Sequence, residues 1–232
     1  MTSTAFRAGF LLFPQLTQLD LTGPYEVLAE LPGAELHLIW KTRAPVMSSR
    51  GLAIVPTTTF ADCPKLDLIC VPGGSGVNAI LGDRESLDFL RRVAAGARYV
   101  TSVCTGALAL GAAGLLRGKR ATTHWMSHDM LRAFGAEPVA ARVVVDGDLI
   151  TGGGVTAGID FGLTVAAAVA GRRTAEAIQL GIEYDPAPPF DTGSPARAGA
   201  ELVALVRRRA DARQSERAEL VRRAAAALDA SG

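Results

Sequence analysis

The chain is poor in the residues that several large function classes depend on. Its 232 residues hold three cysteines, Cys63, Cys70 and Cys104. The odd number and the irregular spacing exclude a disulfide framework and a zinc site and point to a reduced, cytoplasmic setting. Only three histidines occur, His37, His124 and His128, and the residue after Cys104 is Thr105, which removes the simplest Cys-His pair and weakens a protease reading. Charge is nearly balanced at +1, so no general nucleic-acid or membrane-binding surface is expected. No apolar run approaches the ~20 residues of a membrane helix. The apolar stretch from Ala8 stops at Phe13-Pro14, too short for a signal peptide.

What is present is 49% hydrophobic content and 25 glycines, enough for one sizeable α/β core with many tight turns. Strand-like and helix-like segments alternate. Strands are read at 8–13, 35–41, 66–71, 99–103 and 120–123, a short arm at 52–56, and a hairpin at 143–146 and 149–151 around Gly147. Helices are read at 20–31 (with Pro24 in the first turn), 84–97, 105–116, 126–134, 159–170, 174–183 and 200–227. Near-continuous apolar strands separated by helices predict a mostly parallel sheet covered on both faces. A ligand would then sit beyond the carboxyl ends of the strands.

The most informative run is Tyr99-Val-Thr-Ser-Val-Cys104-Thr105-Gly106 followed by Ala-Leu-Ala-Leu-Gly-Ala-Ala. A β-branched strand meets a small-residue helix with almost no loop, placing Cys104 on a nucleophile elbow. The nearby helix N-terminus is expected to favour the thiolate. The bland alternative is a buried cysteine serving as a small apolar side chain. Asp20, in Gln-Leu-Asp-Leu-Thr-Gly-Pro, is either a helix N-cap or a desolvated acid that shares one proton with the thiol.

Gly73-Gly74-Ser75-Gly76 lacks the Walker lysine and the dinucleotide spacing. Its amides, with those of Gly74 and Thr105 foremost, are candidates to bind an anion formed at Cys104. Gly152-Gly153-Gly154 allows close backbone approach under a pocket. His124 follows a strand and can reach the same edge, His37 reads as an ordinary strand residue and His128 as a helix-surface residue.

Residues 1–183 read as the α/β catalytic domain. Residues 184–232 read as a proline-rich arm and a terminal helix, part of that domain or of a homodimer interface. The arginines of the terminal helix read as a solvated face packed along a subunit rather than a nucleic-acid contact, because acidic residues are interleaved.

Four segments carry a resemblance to a known family: Gly9-Phe-Leu-Leu-Phe-Pro14 with Gln18-Leu-Asp-Leu-Thr-Gly-Pro24, Asp67-Leu-Ile-Cys-Val-Pro-Gly-Gly74, Thr101-Ser-Val-Cys-Thr-Gly106, and Gly118-Lys-Arg-Ala-Thr-Thr-His-Trp125. Together they resemble the ThiJ/PfpI superfamily, with the class I glutamine amidotransferase-like fold, a flavodoxin-like sandwich. Tyr184-Asp-Pro-Ala-Pro-Pro-Phe190 adds a likeness to its isocyanide-hydrating branch. The resemblance implies addition of water to an isocyanide, giving an N-substituted formamide, with neither metal nor organic cofactor. In it Cys104 is the nucleophile that forms a thioimidate and Asp20 the proton carrier. Thr105, Gly73 and Gly74 orient the cysteine and water, and His124 and Gly153 line the pocket. Cys-Thr-Gly and Ala-Thr-Thr-His-Trp are also similar to the sensor domains of AraC-type regulators, so a ligand- or redox-sensing module is the rival expectation.

Overall fold

The computed structural model describes residues 5–230. Residues 1–4 and 231–232, the outer ends of the segments 1–183 and 184–232, lie outside that range. In chain order the elements are β1 (Phe6–Leu11), α1 (Gln18–Ala29), β2 (Ala34–Trp40), β3 (Val46–Met47), β4 (Ala53–Ile54), β5 (Thr58–Thr59), β6 (Leu68–Val71), α2 (Val77–Ile80), α3 (Arg84–Ala94), β7 (Tyr99–Val103), α4 (Gly106–Ala112) and β8 (Arg120–Ala121). A 3₁₀ segment (Trp125–Phe134) follows, then β9 (Glu137–Pro138), β10 (Val143–Asp146), β11 (Leu149–Gly152), α5 (Ala157–Ala170), α6 (Arg172–Gly181), α7 (Pro195–Ala198) and α8 (Ala200–Ala230).

Seven strands form one sheet in the order β10-β11-β7-β6-β1-β2-β5. All neighbours are parallel except the β10–β11 hairpin. The register sets Ala8–Phe10 beside Leu68–Cys70, and Leu68–Val71 beside Tyr99–Ser102. The carboxyl ends of β1, β6, β7 and β11 therefore open on one edge, where parallel-sheet proteins bind ligands. Strands β6 and β7 are buried at every position, which is why they read as unbroken apolar runs rather than as alternating ones. Phe10, Phe13, Leu11, Leu12, Leu68, Ile69 and Phe161 are fully enclosed. Each contributes roughly 1.5–3 kcal/mol of burial. Helices α1, α5 and α6 pack as one group, while α2 and α3 pack on α4, and α8 covers α4 and the 3₁₀ segment.

Several boundaries differ from the sequence reading for identifiable reasons. Helix α1 begins at Gln18 after Thr17, so Asp20 lies in the first turn and is not the N-cap, and Pro24 falls in the second turn. Helix α4 stops at Ala112 because Gly114 turns left-handed (φ 80°) and the Leu115 amide closes back on the Leu110 carbonyl at 3.0 Å, a Schellman-type stop. The 120–123 segment is not a strand of the main sheet. Arg120–Ala121 pairs only with Glu137–Pro138. Beyond it the Thr122 amide bonds the Thr151 hydroxyl (2.9 Å) and the Thr123 hydroxyl bonds the Cys104 carbonyl (2.7 Å). The chain there leaves the ladder to hold the elbow. The short strands at 46–47 and 58–59 and the turn of helix at 77–80 carry too few residues for any periodic signal.

Candidate active site

Cys104 sits between β7 and α4 with φ 56°, a left-handed conformation that costs a non-glycine residue roughly 1–2 kcal/mol. The surroundings hold it there. Its amide is shared between the carbonyls of Gly152 (3.0 Å) and Gly153 (2.9 Å), and its carbonyl accepts the Thr123 hydroxyl. Both backbone groups of the elbow are thus fixed by loops from two other parts of the sheet edge, and the thiol projects over the carboxyl end of β7.

The loop after β1 is zipped onto the turn after β6. Thr17 donates its amide to the Gly73 carbonyl (2.9 Å), Gly76 donates to the Gln15 carbonyl (3.2 Å), and Leu16 bridges Gly74. This close approach requires glycine at two places. Gly74 has φ 141°, and a side chain there would meet the Gln15 carbonyl and Thr17 amide. A Cβ on Gly73 would lie 2.5 Å from the Thr105 amide nitrogen and 2.8 Å from both Asp20 Oδ2 and Cys104 Cβ. Gly73 is therefore the point where Asp20, Cys104 and Thr105 converge.

Asp20 is completely buried. Its Oδ2 accepts the Gly73 amide at 3.1 Å, while Oδ1 is enclosed without a hydrogen-bond partner. Burial raises its pKa from 3.8 to about 7, against the lowering influence of Cys104 and the Gly73 amide. Burial likewise pushes the Cys104 thiol well above its ordinary value, and the Asp20 charge adds to this, while the Thr105 amide and Arg217 oppose it. The sequence-based expectation of a helix-stabilised thiolate is thereby corrected. Desolvation and the facing Asp20 charge push the thiol up, against the Thr105 amide at the start of the short helix α4, so the helix N-terminus alone does not set its charge.

The oxyanion expectation for Gly73 and Gly74 also needs correction. The Gly73 amide is spent on Asp20, and the Gly74 amide donates to Thr105 Oγ1 at 3.0 Å. Thr105 Oγ1 in turn donates to the Gly74 carbonyl at 3.2 Å. These glycines position the acid and the threonine, and the amide that acts on the sulfur is that of Thr105.

His124 caps the 3₁₀ segment, its Nδ1 accepting the Met126 amide at 3.3 Å. Burial and the charges of Arg217 and Arg213 lower its pKa to about 4, so it is neutral at physiological pH. With Gly153 it lines a cavity of about 720 Å³ whose other walls include Trp125, Arg142, Ser194 and Arg207. Gly153 links this cavity to the elbow, since its carbonyl accepts the Cys104 amide. His37 lies apart, on β2, bonded to Thr58 at 3.0 Å. His128 is half-buried and lines the same cavity as His124, not the surface position read from sequence. Among the described residues no cluster of three His, Cys, Asp or Glu side chains could hold a metal ion, and no helix is long and apolar enough to cross a membrane.

Arg217 was missed by sequence reasoning. It comes from α8, is only 3% exposed, and reaches the Gly74 carbonyl at 3.3 Å. Local sequence carried no sign of it, because six other arginines share the helix.

A parallel α/β sandwich with a strained cysteine between strand and helix, backed by a buried carboxyl, defines a class of cysteine-elbow proteins. The DJ-1/PfpI family model matches residues 6–168, and the chain belongs to that family. It is 60% identical to the isonitrile hydratase of Pseudomonas putida, over 97% of this chain and 99% of that protein. A ThiJ/PfpI family protein from Pseudomonas syringae superimposes with TM-score 0.92 at 44% identity, covering 94% of this chain and 91% of that one. The HTH-type transcriptional regulator GbdR of Pseudomonas aeruginosa is 34% identical over 76% of this chain but only 50% of its own length.

Proposed function

We propose that the protein is an isocyanide hydratase, a lyase that adds water to an isocyanide to release an N-substituted formamide. The observation that carries the reading is the fully buried Asp20 carboxyl converging with the strained elbow cysteine at Gly73. The near full-length likeness to an isonitrile hydratase supports the same reaction.

The Cys104 sulfur attacks the terminal isocyanide carbon. The S–C bond forms while the pair's proton, relayed by Asp20, ends on that carbon, giving a thioimidate. Asp20 then takes a proton from water, whose oxygen adds to the same carbon, and passes the proton to nitrogen. The C–S bond breaks, the hydroxyl proton returns through Asp20 to sulfur, and the formamide leaves. Atoms balance with water alone, and no oxidation state changes, so the cycle calls for no cofactor or metal. Thr105 orients the nucleophile, held by Gly73 and Gly74. The cavity beside Gly153 and His124 takes the N-substituent.

The protein is also proposed to act in the cytoplasm, with its three cysteines free, and as a homodimer. Leu180 (82% exposed) and Phe190 (77% exposed) leave apolar surface on α6 and the arm, which a second copy would cover.

Turnover of para-nitrophenyl isocyanide, followed as formamide formation, tests the reading. Wild-type protein is expected to form product and Cys104→Ala none. Turnover by Cys104→Ala would remove the nucleophile from the scheme. Ligand binding without turnover by wild-type protein would favour the sensor reading.

A further inference from the structure

The long terminal helix α8 places one arginine where a cation is costly. Arg217 is buried, and all its hydrogen-bond partners are neutral: Nε donates to Asn78 Oδ1 (2.9 Å), Nη1 to Ser127 Oγ (3.3 Å) and Nη2 to the Gly74 carbonyl (3.3 Å). Among the described residues no carboxylate lies within ion-pair distance of it. An unpaired buried charge is strongly unfavourable unless something nearby carries the opposite sign. Negative charge reaches it from Glu216 of its own helix and from the Cys104 sulfur when that ionises, and the ionised sulfur and the guanidinium each stabilise the charged form of the other. The Gly74 carbonyl that Arg217 grips is also the acceptor of the Thr105 hydroxyl. The guanidinium thus reaches the elbow by two routes, through its field and through the Gly74–Thr105 contact.

We propose, resting on the hydratase reading above, that Arg217 is a positioning residue: it clamps the Gly73–Gly74 turn against Thr105 and balances the negative charge that the Cys104–Asp20 pair carries during attack. As the thiol proton passes to Asp20, negative charge builds on the sulfur that attacks the isocyanide carbon, and it is this charge that Arg217 opposes before Asp20 hands the proton to that carbon. The terminal helix is then part of the active site and not merely a cover over α4.

The charged and titratable groups around the pair are limited. Asp20 faces Cys104 from α1, Cys70 lies within the field of Asp20 from β6, and Arg217 approaches from α8. Arg217 itself feels Arg213 and Glu216 of its own helix, and both arginines act on His124.

The test uses Arg217→Met and Arg217→Lys in a Cys63→Ser background, with alkylation read by mass spectrometry on the peptide that holds Cys104, because Cys70 remains. Two readouts are needed: the pH profile of iodoacetamide alkylation, and kcat and KM for para-nitrophenyl isocyanide. In Arg217→Met the alkylation midpoint is expected to rise by about one pH unit and kcat to fall by about tenfold or more, with KM changed less than threefold. Arg217→Lys, which keeps the charge, is expected to recover much of both. If Arg217→Met does not fold, Arg217→Gln replaces it, with the same expected direction. An unmoved alkylation midpoint in a folded neutral variant, or a loss of kcat that follows thermal stability alone, would overturn the proposal. Alkylation needs no isocyanide, so a shifted midpoint in a protein without turnover would refute the hydratase reading and leave the clamp standing.

Discussion

Replacing Asp20 by asparagine should stabilise the fold in a pH-dependent way. The carboxyl titrates at about 7 in the folded chain against 3.8 for the ordinary group. Between those values the folded chain holds a proton that the unfolded chain has released. The stability linked to that proton is complete below pH 3.8, declines as pH rises, and is gone above about 7. At 1.36 kcal/mol per tenfold change in proton affinity, the difference amounts to at most about 4 kcal/mol at pH 8–9. Solvent entry and the coupling to Cys104 reduce this, so ~2–4 kcal/mol is the expected gain.

Asparagine imitates the protonated acid. Its amide oxygen can still accept the Gly73 amide, and its NH₂ occupies the position of the unpartnered Oδ1. For a chain of this length ~1 kcal/mol moves Tm by about 2 °C, so the variant should melt roughly 4–8 °C higher at pH 8.5 and within about 1 °C of wild type at pH 4. Urea denaturation at pH 4, 6 and 8.5 under reducing conditions measures it. Equal stability at pH 8.5, or a gap that narrows as pH rises, would refute the raised carboxyl. The same variant should lose proton delivery and most turnover.

Gly73→Ala should cut kcat by more than ~100-fold, because its Cβ would displace Thr105, Asp20 and Cys104 together; a wild-type rate would show that this convergence is not needed. Thr105→Val leaves the buried Gly74 amide without an acceptor and should cost ~1–3 kcal/mol in urea denaturation, an unchanged midpoint being the contrary result. His124 should titrate near 4 by NMR. Because the unfolded chain then takes up its proton first, His124 makes wild-type stability fall as pH drops from 6.5 toward 4, a slope that His124→Gln should lessen. A His124 midpoint near 6.5 would contradict its burial.

Much of the framework was legible because it rests on short-range regularities. The β-branched run of 99–103, the unbroken apolar segment ending at Val71 and the small residues after Thr105 each declare their element by local pattern alone. With parallel topology these put Cys104 and the Gly73–Gly74 turn at one sheet edge, and Asp20 followed from its place just after the first strand. The tight turn at Cys104 was legible in the absence of loop residues between strand and helix, while its left-handed φ came only with the structure.

The state of the site was decided by tertiary structure. Whether Cys104 rests as thiol or thiolate depends on how much water surrounds it and on what faces it, and both are set by chain segments far apart in sequence. The glycine amides were assigned to an anion by their position, yet the fold commits them to Asp20 and Thr105. The 120–123 segment reads as a strand by composition, but its hydrogen bonds go to Thr151 and Cys104. Arg217 lies 113 residues after Cys104 in sequence, and nothing local separates it from the solvated arginines around it. Sequence by itself determined which residues could do chemistry at the elbow. Only packing determined their charges and their partners, because desolvation and hydrogen-bond commitment are properties of the assembled surroundings and not of any one segment.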